Sequence, residues 1–302
     1  MGRPKHRSTR TLLREIGPLF LDSLDVSDKT RQTYKEALRC FSRWSAQRTQ
    51  ALSTALVRSY RNWLRPRCTA NTLATYLVGL RRFFGYCFEQ NLIASNPALG
   101  VRGVRKPRGH LRHDLGRAQL RELLDQVNCE TLLGLRDFAM LNLMVRNGLR
   151  VVEVTRANVG DLEQVQGRTI LRVLGKGRDA RDEFVVLSQL THGILNDYLE
   201  TRGRLRGNQP LFCSMSNRNR DKRLCTRTVH RRVTHYMERA GVKTSKVSPH
   251  SLRHSFVTLA IEGGATLVEA QAAARHRSVQ TTMVYFHEHG RLSNPVEDKI
   301  NI

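Results

Sequence analysis

The amino-acid sequence predicts a mainly α-helical protein of two domains, with one small antiparallel β-hairpin in the second. Apolar residues recur at helical spacing through most of the chain. A stretch rich in glycine, proline and basic residues, 97–113, interrupts this periodicity. The length of 302 residues, 40% of them apolar, is enough for two cores. We therefore expect a basic flexible tail at 1–11, a helical domain at 12–96, a basic linker at 97–113 and a second domain at 114–302.

The first predicted domain is a set of helices. Its clearest apolar stripe follows the i, i+3, i+4, i+7 and i+10 positions of one helical face, at Tyr34, Ala37, Leu38, Phe41 and Trp44. Further helices are expected at 12–20, at 52–64 and from the cap Thr69 to a stop at Asn96-Pro97. Because the aromatic residues lie at core spacing, we interpret them as packing residues rather than as a surface on which bases stack.

The second predicted domain combines helices with the hairpin. Residues 169–174 and 183–187 predict two strands joined by a polar turn at 175–182. Helical patterns precede the hairpin at 120–127, 132–145 and 151–157. Helix-start signals follow it at Thr226, Ser248-Pro249, Thr266 and Ser278, and the last of these helices carries Tyr285.

The charge of the chain is strongly positive. Lys and Arg number 51 against 26 Asp and Glu, which gives a formal net charge of +25 and a pI of about 11.0. Such a field attracts polyanions, and nucleic acid is the commonest polyanion inside a cell. On charge alone, a ribosomal or histone-like binder and a merely basic protein remain open alternatives.

Several other classes are not indicated. No stretch approaches the roughly 18 consecutive apolar residues of a membrane span, and the N-terminus lacks the apolar core of a secretory signal. The six cysteines are scattered without a CxxC pair, so the pattern favours neither a zinc framework nor a disulfide scaffold. We expect a cytoplasmic protein that uses no metal and no other cofactor.

A set of basic residues in the second domain carries the chemistry. Attack of a side chain on a phosphodiester needs a nucleophile, positive charge for the non-bridging oxygens and a proton for the leaving oxygen. The carboxylates of this sequence form no recognisable magnesium cluster. Basic residues instead occupy turns and helix ends ahead of Tyr285, namely Arg150, Lys176, His250, Arg253 and His276. Taken singly, each has an ordinary interpretation, such as a solvated turn lysine or a core tyrosine.

The segments around these residues resemble the tyrosine recombinase (phage integrase, Xer-like) family. They are Asn147-Gly-Leu-Arg-Val-Val-Glu153, Leu174-Gly-Lys-Gly177, Pro249-His-Ser-Leu-Arg-His254 and Arg275-His-Arg-Ser-Val-Gln-Thr-Thr-Met-Val-Tyr285. Their order, spacing and flanking residues all match, and the resemblance spans essentially the whole chain. It implies a helical N-terminal core-binding domain followed by a mixed α+β tyrosine recombinase catalytic domain.

The resemblance also implies a role for each basic residue. Arg150 and Arg253 are expected to clamp the scissile phosphate, since guanidinium groups match its oxygens. Lys176 is expected to protonate the departing 5′ oxygen. His250 would handle the tyrosine proton or hold the phosphate, and His276 would donate a hydrogen bond to it.

The remaining two assignments concern the nucleophile and its support. Tyr285 is expected to attack phosphorus and form a 3′-phosphotyrosine, without metal or ATP, because the covalent intermediate conserves the bond energy. Glu153 matches an acidic family position that supports the active-site arginine.

The implied activity is site-specific cleavage and rejoining of double-stranded DNA. A homotetramer would act on inverted half-sites, assembled from subunits that are monomeric off DNA. Type IB topoisomerase-like relaxation and a non-catalytic DNA-binding accessory protein are the alternatives. The intact set of six residues argues against the second, and the helical N-terminal domain favours the recombinase over the first.

Two features depart from the family pattern. Ala274-Arg275 stands where the family usually has Leu-Gly, and we expect Arg275 to meet DNA, as we do Arg105, Lys106 and Arg108 of the linker. The segment 286–302 lacks the strong apolar stripe with which family members often dock on a neighbouring subunit.

Overall fold

The computed structural model describes residues 8–103, 113–175, 180–276 and 278–285, except for the side chains of Val284 and Tyr285. The chain divides into two compact units, Met1–Arg108 and Gly109–Ile302. Each unit is described here by itself.

The described part of the first unit is helical. A short helix α1 (Thr9–Thr11) runs through a π-helical turn (Leu12–Ile16) into α2 (Gly17–Asp22), and α3 (Asp28–Ser45), α4 (Thr54–Leu64) and α5 (Ala70–Glu89) follow. Ser27, Ser53 and Thr69 cap the last three helices by accepting a backbone N–H of the first turn. The aromatic residues pack edge to face in the interior, as the sequence predicts, and Phe20, Phe41, Tyr60, Phe83 and Phe84 are buried.

Both ends of this unit differ from the prediction. The expected flexible tail reaches residue 11, but helix begins at Thr9 because Ser8 accepts the Thr11 N–H at 3.1 Å and Leu12 and Leu13 are buried. Residues 1–7 lie outside the described part. At the other end, α5 stops at Glu89 and not at Asn96-Pro97, since the chain turns at Asn91 with φ 54°.

The second unit contains the predicted hairpin and one strand more. Strands β1 (Leu162–Val165), β2 (Arg168–Val173) and β3 (Glu183–Val186) form an antiparallel sheet in that order within the described residues. The hairpin of β2 and β3 is confirmed, with Ile170 opposite Val186. Strand β1 is too short and too polar to show a clear pattern. It pairs with β2 across Gln166-Gly167, a turn with φ of 50° and 74° that suits a two-residue hairpin.

Helices precede and follow this sheet along the chain of the second unit. Before it come α6 (Arg117–Asp125), α7 (Leu132–Arg146) and α8 (Val151–Arg156), and after it α9 (Gln189–Glu200), α10 (Thr226–Arg239), α11 (Pro249–Glu262), α12 (Leu267–Ala274) and α13 (Val279–Tyr285). The helix start predicted at Ser248-Pro249 and the cap predicted at Thr266 are confirmed, whereas α10 is preceded by Cys225, so Thr226 is its first helical residue.

Helix α7 lies at the centre of the second core. Ala139, Met140, Leu141, Leu143 and Met144 are each at most 1% exposed, and α7 packs against α6, α8, α9 and α11. A helix that is apolar on nearly every side belongs in an interior. Because α7 is held from several directions, its C-terminal end fixes the start of the loop 147–150.

Two negative findings apply to the described residues. None of their helices is long and apolar enough to cross a membrane. No group of three or more His, Cys, Asp or Glu side chains among them is arranged to hold a metal ion.

Candidate active site

Arg150 stands at the junction of α7 and α8. It precedes the first residue of α8, and Glu153, one turn later, accepts its backbone N–H at 2.8 Å through Oε2. Glu153 Oε1 accepts from Nη1 of the same arginine at 2.5 Å. The Glu153 side chain is 0% exposed and that of Arg150 is 30% exposed, so a buried carboxylate supports a guanidinium that reaches the surface.

Gly148 makes the turn that presents Arg150. Its φ of 60° lies in the left-handed region, and an added Cβ would lie 2.5 Å from Cδ1 of Phe256 on α11. Glycine is therefore required twice, for the backbone conformation and for the close approach of α11. The Gly148 carbonyl also accepts a hydrogen bond from Arg253.

Helix α11 contributes the second arginine and a histidine. His250 and Arg253 are three residues apart near its N-terminal end and so share a face. Arg253 is 2% exposed, and its guanidinium donates to the Gly148 carbonyl at 2.7 Å and to the Ala274 carbonyl. His250 is exposed, and its ring contacts that of His254 nearly at right angles, with centroids 4.7 Å apart.

Arg275 is turned into the protein. It follows α12 with φ 54° and ψ 47°, and its side chain is 3% exposed. Nη2 donates to Glu153 Oε2 at 2.8 Å, and Nη1 donates to the Ala273 carbonyl at 2.9 Å. From the sequence this arginine is predicted to meet DNA, whereas its side chain contacts the carboxylate that also binds Arg150.

His276 is tied to helix α13. Its Nδ1 lies 2.9 Å from Oγ1 of Thr282, a residue that is 0% exposed. Thr282 stands three residues before Tyr285 on the same short helix. The hydrogen bond therefore joins the histidine to the helix that ends at the expected nucleophile.

The charges of the site act on its titratable groups. Burial disfavours the Glu153 carboxylate, but the Arg275 charge, the Arg150 N–H and the Arg150 charge outweigh this effect and hold the pKa of Glu153 below its usual value. Burial and the nearby charges of Arg253, Arg150 and Arg275 lower the pKa of His276 to about 4. The imidazole is therefore neutral at pH 7, while the carboxylate is charged.

The structure brings most of the predicted site residues to one place. Arg150 and Arg253 lie near Glu153, and their charges act on both Glu153 and His276. His250 is also close enough for its charge to lower the pKa of His276. The predicted residues Lys176, Arg105, Lys106 and Arg108 and the side chain of Tyr285 lie outside the described part of the chain.

Sequence reasoning missed two contacts of this site. One is Thr282, which looks like an ordinary helix residue and whose only signal is its place one turn before Tyr285. The other is the Arg275–Glu153 ion pair, which joins residues 122 positions apart. The signal for the second was the arginine standing where a glycine was expected.

Comparisons with known proteins show to which family this arrangement belongs. A sequence model of the phage integrase family matches residues 113–291, and one of the phage integrase N-terminal SAM-like domain matches residues 19–93. The chain belongs to the phage integrase family. It is a tyrosine-type recombinase, in agreement with the resemblance seen in the sequence and with the predicted mainly helical fold.

Among curated relatives of this phage integrase family member is the tyrosine recombinase XerD of Pseudomonas aeruginosa. It is 33% identical over 282 residues, which cover 89% of this chain and 91% of the relative. The tyrosine recombinase XerC of Vibrio atlanticus is 36% identical over 229 residues, covering 74% of this chain and 69% of the relative.

Solved recombinase structures share the fold. The XerH site-specific recombinase bound to its palindromic difH substrate, in a post-cleavage complex, superposes with a TM-score of 0.77 at 20% identity, covering 94% of this chain and 84% of that one. A lambda integrase tetramer bound to a Holliday junction gives a TM-score of 0.71 at 17% identity, covering 93% of this chain and 78% of that one.

Proposed function

We propose that this integrase-family protein is a site-specific DNA recombinase that cuts and rejoins strands through a 3′-phosphotyrosine on Tyr285. One observation carries the proposal. The charges of Arg150 and Arg253 act on both the buried Glu153 and His276, and α13 begins three residues after His276 and ends at Tyr285. Positive charge and hydrogen-bond donors are thereby gathered beside the helix that carries the nucleophile.

The proposed reaction conserves one phosphodiester bond. The Tyr285 oxygen attacks the scissile phosphorus and gives up its proton, a step that we assign to His250. The bond to the 5′ oxygen breaks, and that oxygen takes a proton from Lys176. The phosphate is then joined to Tyr285, and attack by a 5′ hydroxyl reverses the step on the same or another strand, so ATP is not consumed.

The arginines supply the charge that this step requires. Arg150 and Arg253 would bind the non-bridging oxygens, since a guanidinium stays charged and matches the oxygens of a phosphate. Glu153 positions Arg150 by accepting both its backbone N–H and its Nη1. The metal-free assignment rests on this clamp, which performs the electrostatic part of a metal ion's role in phosphoryl transfer.

His276 suits the donation of a hydrogen bond. With a pKa lowered to about 4 it is neutral before DNA binds, so one ring nitrogen carries a proton and the other accepts. If the Thr282 hydroxyl donates to Nδ1, then Nε2 carries the proton and would donate it to a phosphate oxygen. A bound phosphate raises the histidine pKa, in opposition to the arginines.

The proposed partner is double-stranded DNA. The net charge of +25 supports this, and the XerH and lambda integrase neighbours are complexes with DNA. A homotetramer on inverted half-sites, monomeric off DNA, is our proposal for the assembly, by analogy with the lambda integrase tetramer. We likewise propose the domain limits 12–96 and 114–302, with Arg105, Lys106 and Arg108 of the linker contacting the DNA backbone.

Trapping of the covalent intermediate tests the proposal. A nicked suicide substrate loses a short fragment after cleavage, so the protein remains attached to the 3′ end. We expect a covalent adduct with the unchanged protein and none with Tyr285→Phe, while Tyr86→Phe, a matched change in the first unit, still forms it.

An adduct that survives Tyr285→Phe would show that another residue is the nucleophile. Failure of the unchanged protein to form an adduct on DNA from beside its gene would contradict the recombinase proposal. Relaxation of arbitrary supercoiled plasmids by monomers would instead indicate a type IB topoisomerase.

A further inference from the structure

We propose that Arg275 is a positioning residue that shares the Glu153 carboxylate with Arg150 and thereby leaves Arg150 its charge for the scissile phosphate. The inference rests on the proposed function and adds a residue to its machinery. Arg275 occupies a backbone position that favours glycine.

The backbone of Arg275 is in the left-handed region. With φ 54° and ψ 47° it ends α12, and its N–H donates to the carbonyls of Ala272 and Gln271. A residue with a Cβ is disfavoured in this conformation relative to glycine. Strain of this kind persists where the surrounding contacts hold it, and it is concentrated at functional sites.

The contacts of the Arg275 side chain stabilise this strained backbone conformation. Nη2 donates to Glu153 Oε2 at 2.8 Å, and it also lies 3.5 Å from the Gly148 carbonyl, which Arg253 contacts as well. Nε is buried without a hydrogen-bond partner among the described residues. This guanidinium is 3% exposed, and its contacts are the ion pair with Glu153 and a hydrogen bond from Nη1 to the Ala273 carbonyl.

Arg275 reaches Arg150 by two routes. Its side chain donates to the oxygen of Glu153 that also accepts the Arg150 N–H. Its main-chain carbonyl accepts from Nη2 of Arg150 at 3.4 Å. The side chain and the backbone of Arg275 thus both constrain the position of Arg150, the arginine proposed to bind the phosphate.

The charge balance gives the functional consequence. Arg150, Arg253 and Arg275 surround Glu153, and these four described side chains carry a net charge of +2. Without Arg275 their sum would be +1, and Glu153 would direct its whole charge at Arg150 and Arg253. Because the site is partly shielded from water, the unshared carboxylate would hold Arg150 more tightly, and offset more of its charge toward a phosphate, than a surface carboxylate would.

A double-mutant cycle between Arg275 and Glu153 tests the mechanism. We compare Arg275→Met, Glu153→Gln and the double variant in single-turnover cleavage of the nicked substrate at saturating protein, and we measure the DNA dissociation constant of each. We expect Arg275→Met to slow cleavage about tenfold and to change DNA affinity less than threefold. In the Glu153→Gln background the same change should alter the rate less than twofold, because the carboxylate through which it acts is gone.

Two further variants separate positioning from stability. Arg275→Gly removes the side chain and also the backbone strain, so it should melt at a higher temperature than Arg275→Met and yet cleave as slowly. Arg275→Lys keeps the charge and should recover part of the rate. Gln166→Gly, which relieves a φ of 50° in the β1–β2 turn, is the control for strain relief and should cleave at the original rate.

Three outcomes would overturn the inference: equal losses in both Glu153 backgrounds, a cleavage rate that follows melting temperature across the variants, or an unchanged rate in Arg275→Met. These outcomes are distinct from failure of the proposed function, because they are scored against a parent protein that forms the adduct. If the parent forms none, the recombinase proposal is contradicted first.

Discussion

Thr282 and His276 are joined by a hydrogen bond that would control the role proposed for the histidine. The imidazole is neutral at pH 7, so its chemistry depends on which nitrogen carries the proton. Its Nδ1 lies 2.9 Å from the Thr282 hydroxyl, a buried group that can either donate or accept a hydrogen bond. A hydroxyl that donates to Nδ1 selects the tautomer in which Nε2 is the donor.

We expect Thr282→Val to slow cleavage about tenfold. Valine keeps the shape of threonine but removes one hydrogen bond, which contributes about 1 kcal/mol. Thr282→Ser, which keeps the hydroxyl, should cleave at close to the original rate. Nitrogen NMR of His276 should report a changed tautomer ratio in the valine variant and not in the serine variant. If Thr282 had only a structural role, the tautomer ratio would not change. An unaltered spectrum together with an unaltered rate would remove Thr282 from the mechanism.

At the scale of elements, the geometry of the site depends on the loop that connects α7 to α8. The buried helix α7 ends at Arg146, and within four residues the chain has turned through Gly148 and presented Arg150. The same turn offers its carbonyl to Arg253 from α11. One short loop therefore sets the distance between the two arginines of the proposed phosphate clamp.

Gly148→Ala should damage both folding and cleavage. The new methyl group would meet Phe256 at 2.5 Å and would strain the positive φ, so we expect a loss of about 2–4 kcal/mol in the free energy of unfolding. Denaturation in urea measures this loss of stability, and the adduct assay measures cleavage.

Gly167→Ala is the matched control, since its φ of 74° is also positive but its Cβ would face open space. The control should lose only about 1 kcal/mol and should cleave normally. Equal losses in the two variants would mean that contact with Phe256 does not matter.

How well the site can be predicted from the sequence depends on how far apart in the chain its contacting residues lie. Caps such as Thr69 and Thr266 and the hairpin of β2 and β3 depend on neighbours in the chain, so the sequence predicted them. The direction of the Arg275 side chain depends on a carboxylate 122 residues away, and no local pattern could contain it. Strand β1 was missed for a similar reason, because four weakly apolar residues become a strand only when β2 lies beside them.

At the scale of the whole molecule, the dominant property is charge. A chain with a formal charge of +25 that binds DNA releases counterions, so its affinity must fall as salt is added. We expect the dissociation constant for a duplex to rise at least about hundredfold between 50 and 200 mM salt. Fluorescence anisotropy of a labelled duplex measures it. A flat response would contradict an electrostatic mode of binding.

The Gly148 carbonyl has a consequence for the order in which the protein acquires its activity. It accepts from Arg253 across 105 residues of chain and lies near Arg275 across 127. Contacts of such long range close only when most of the second unit is already in place, because each requires a large loop to be ordered. A nascent or partly unfolded chain therefore carries every reactive group without the geometry to use them. We therefore expect the ability to break a DNA strand to arise only at the end of folding.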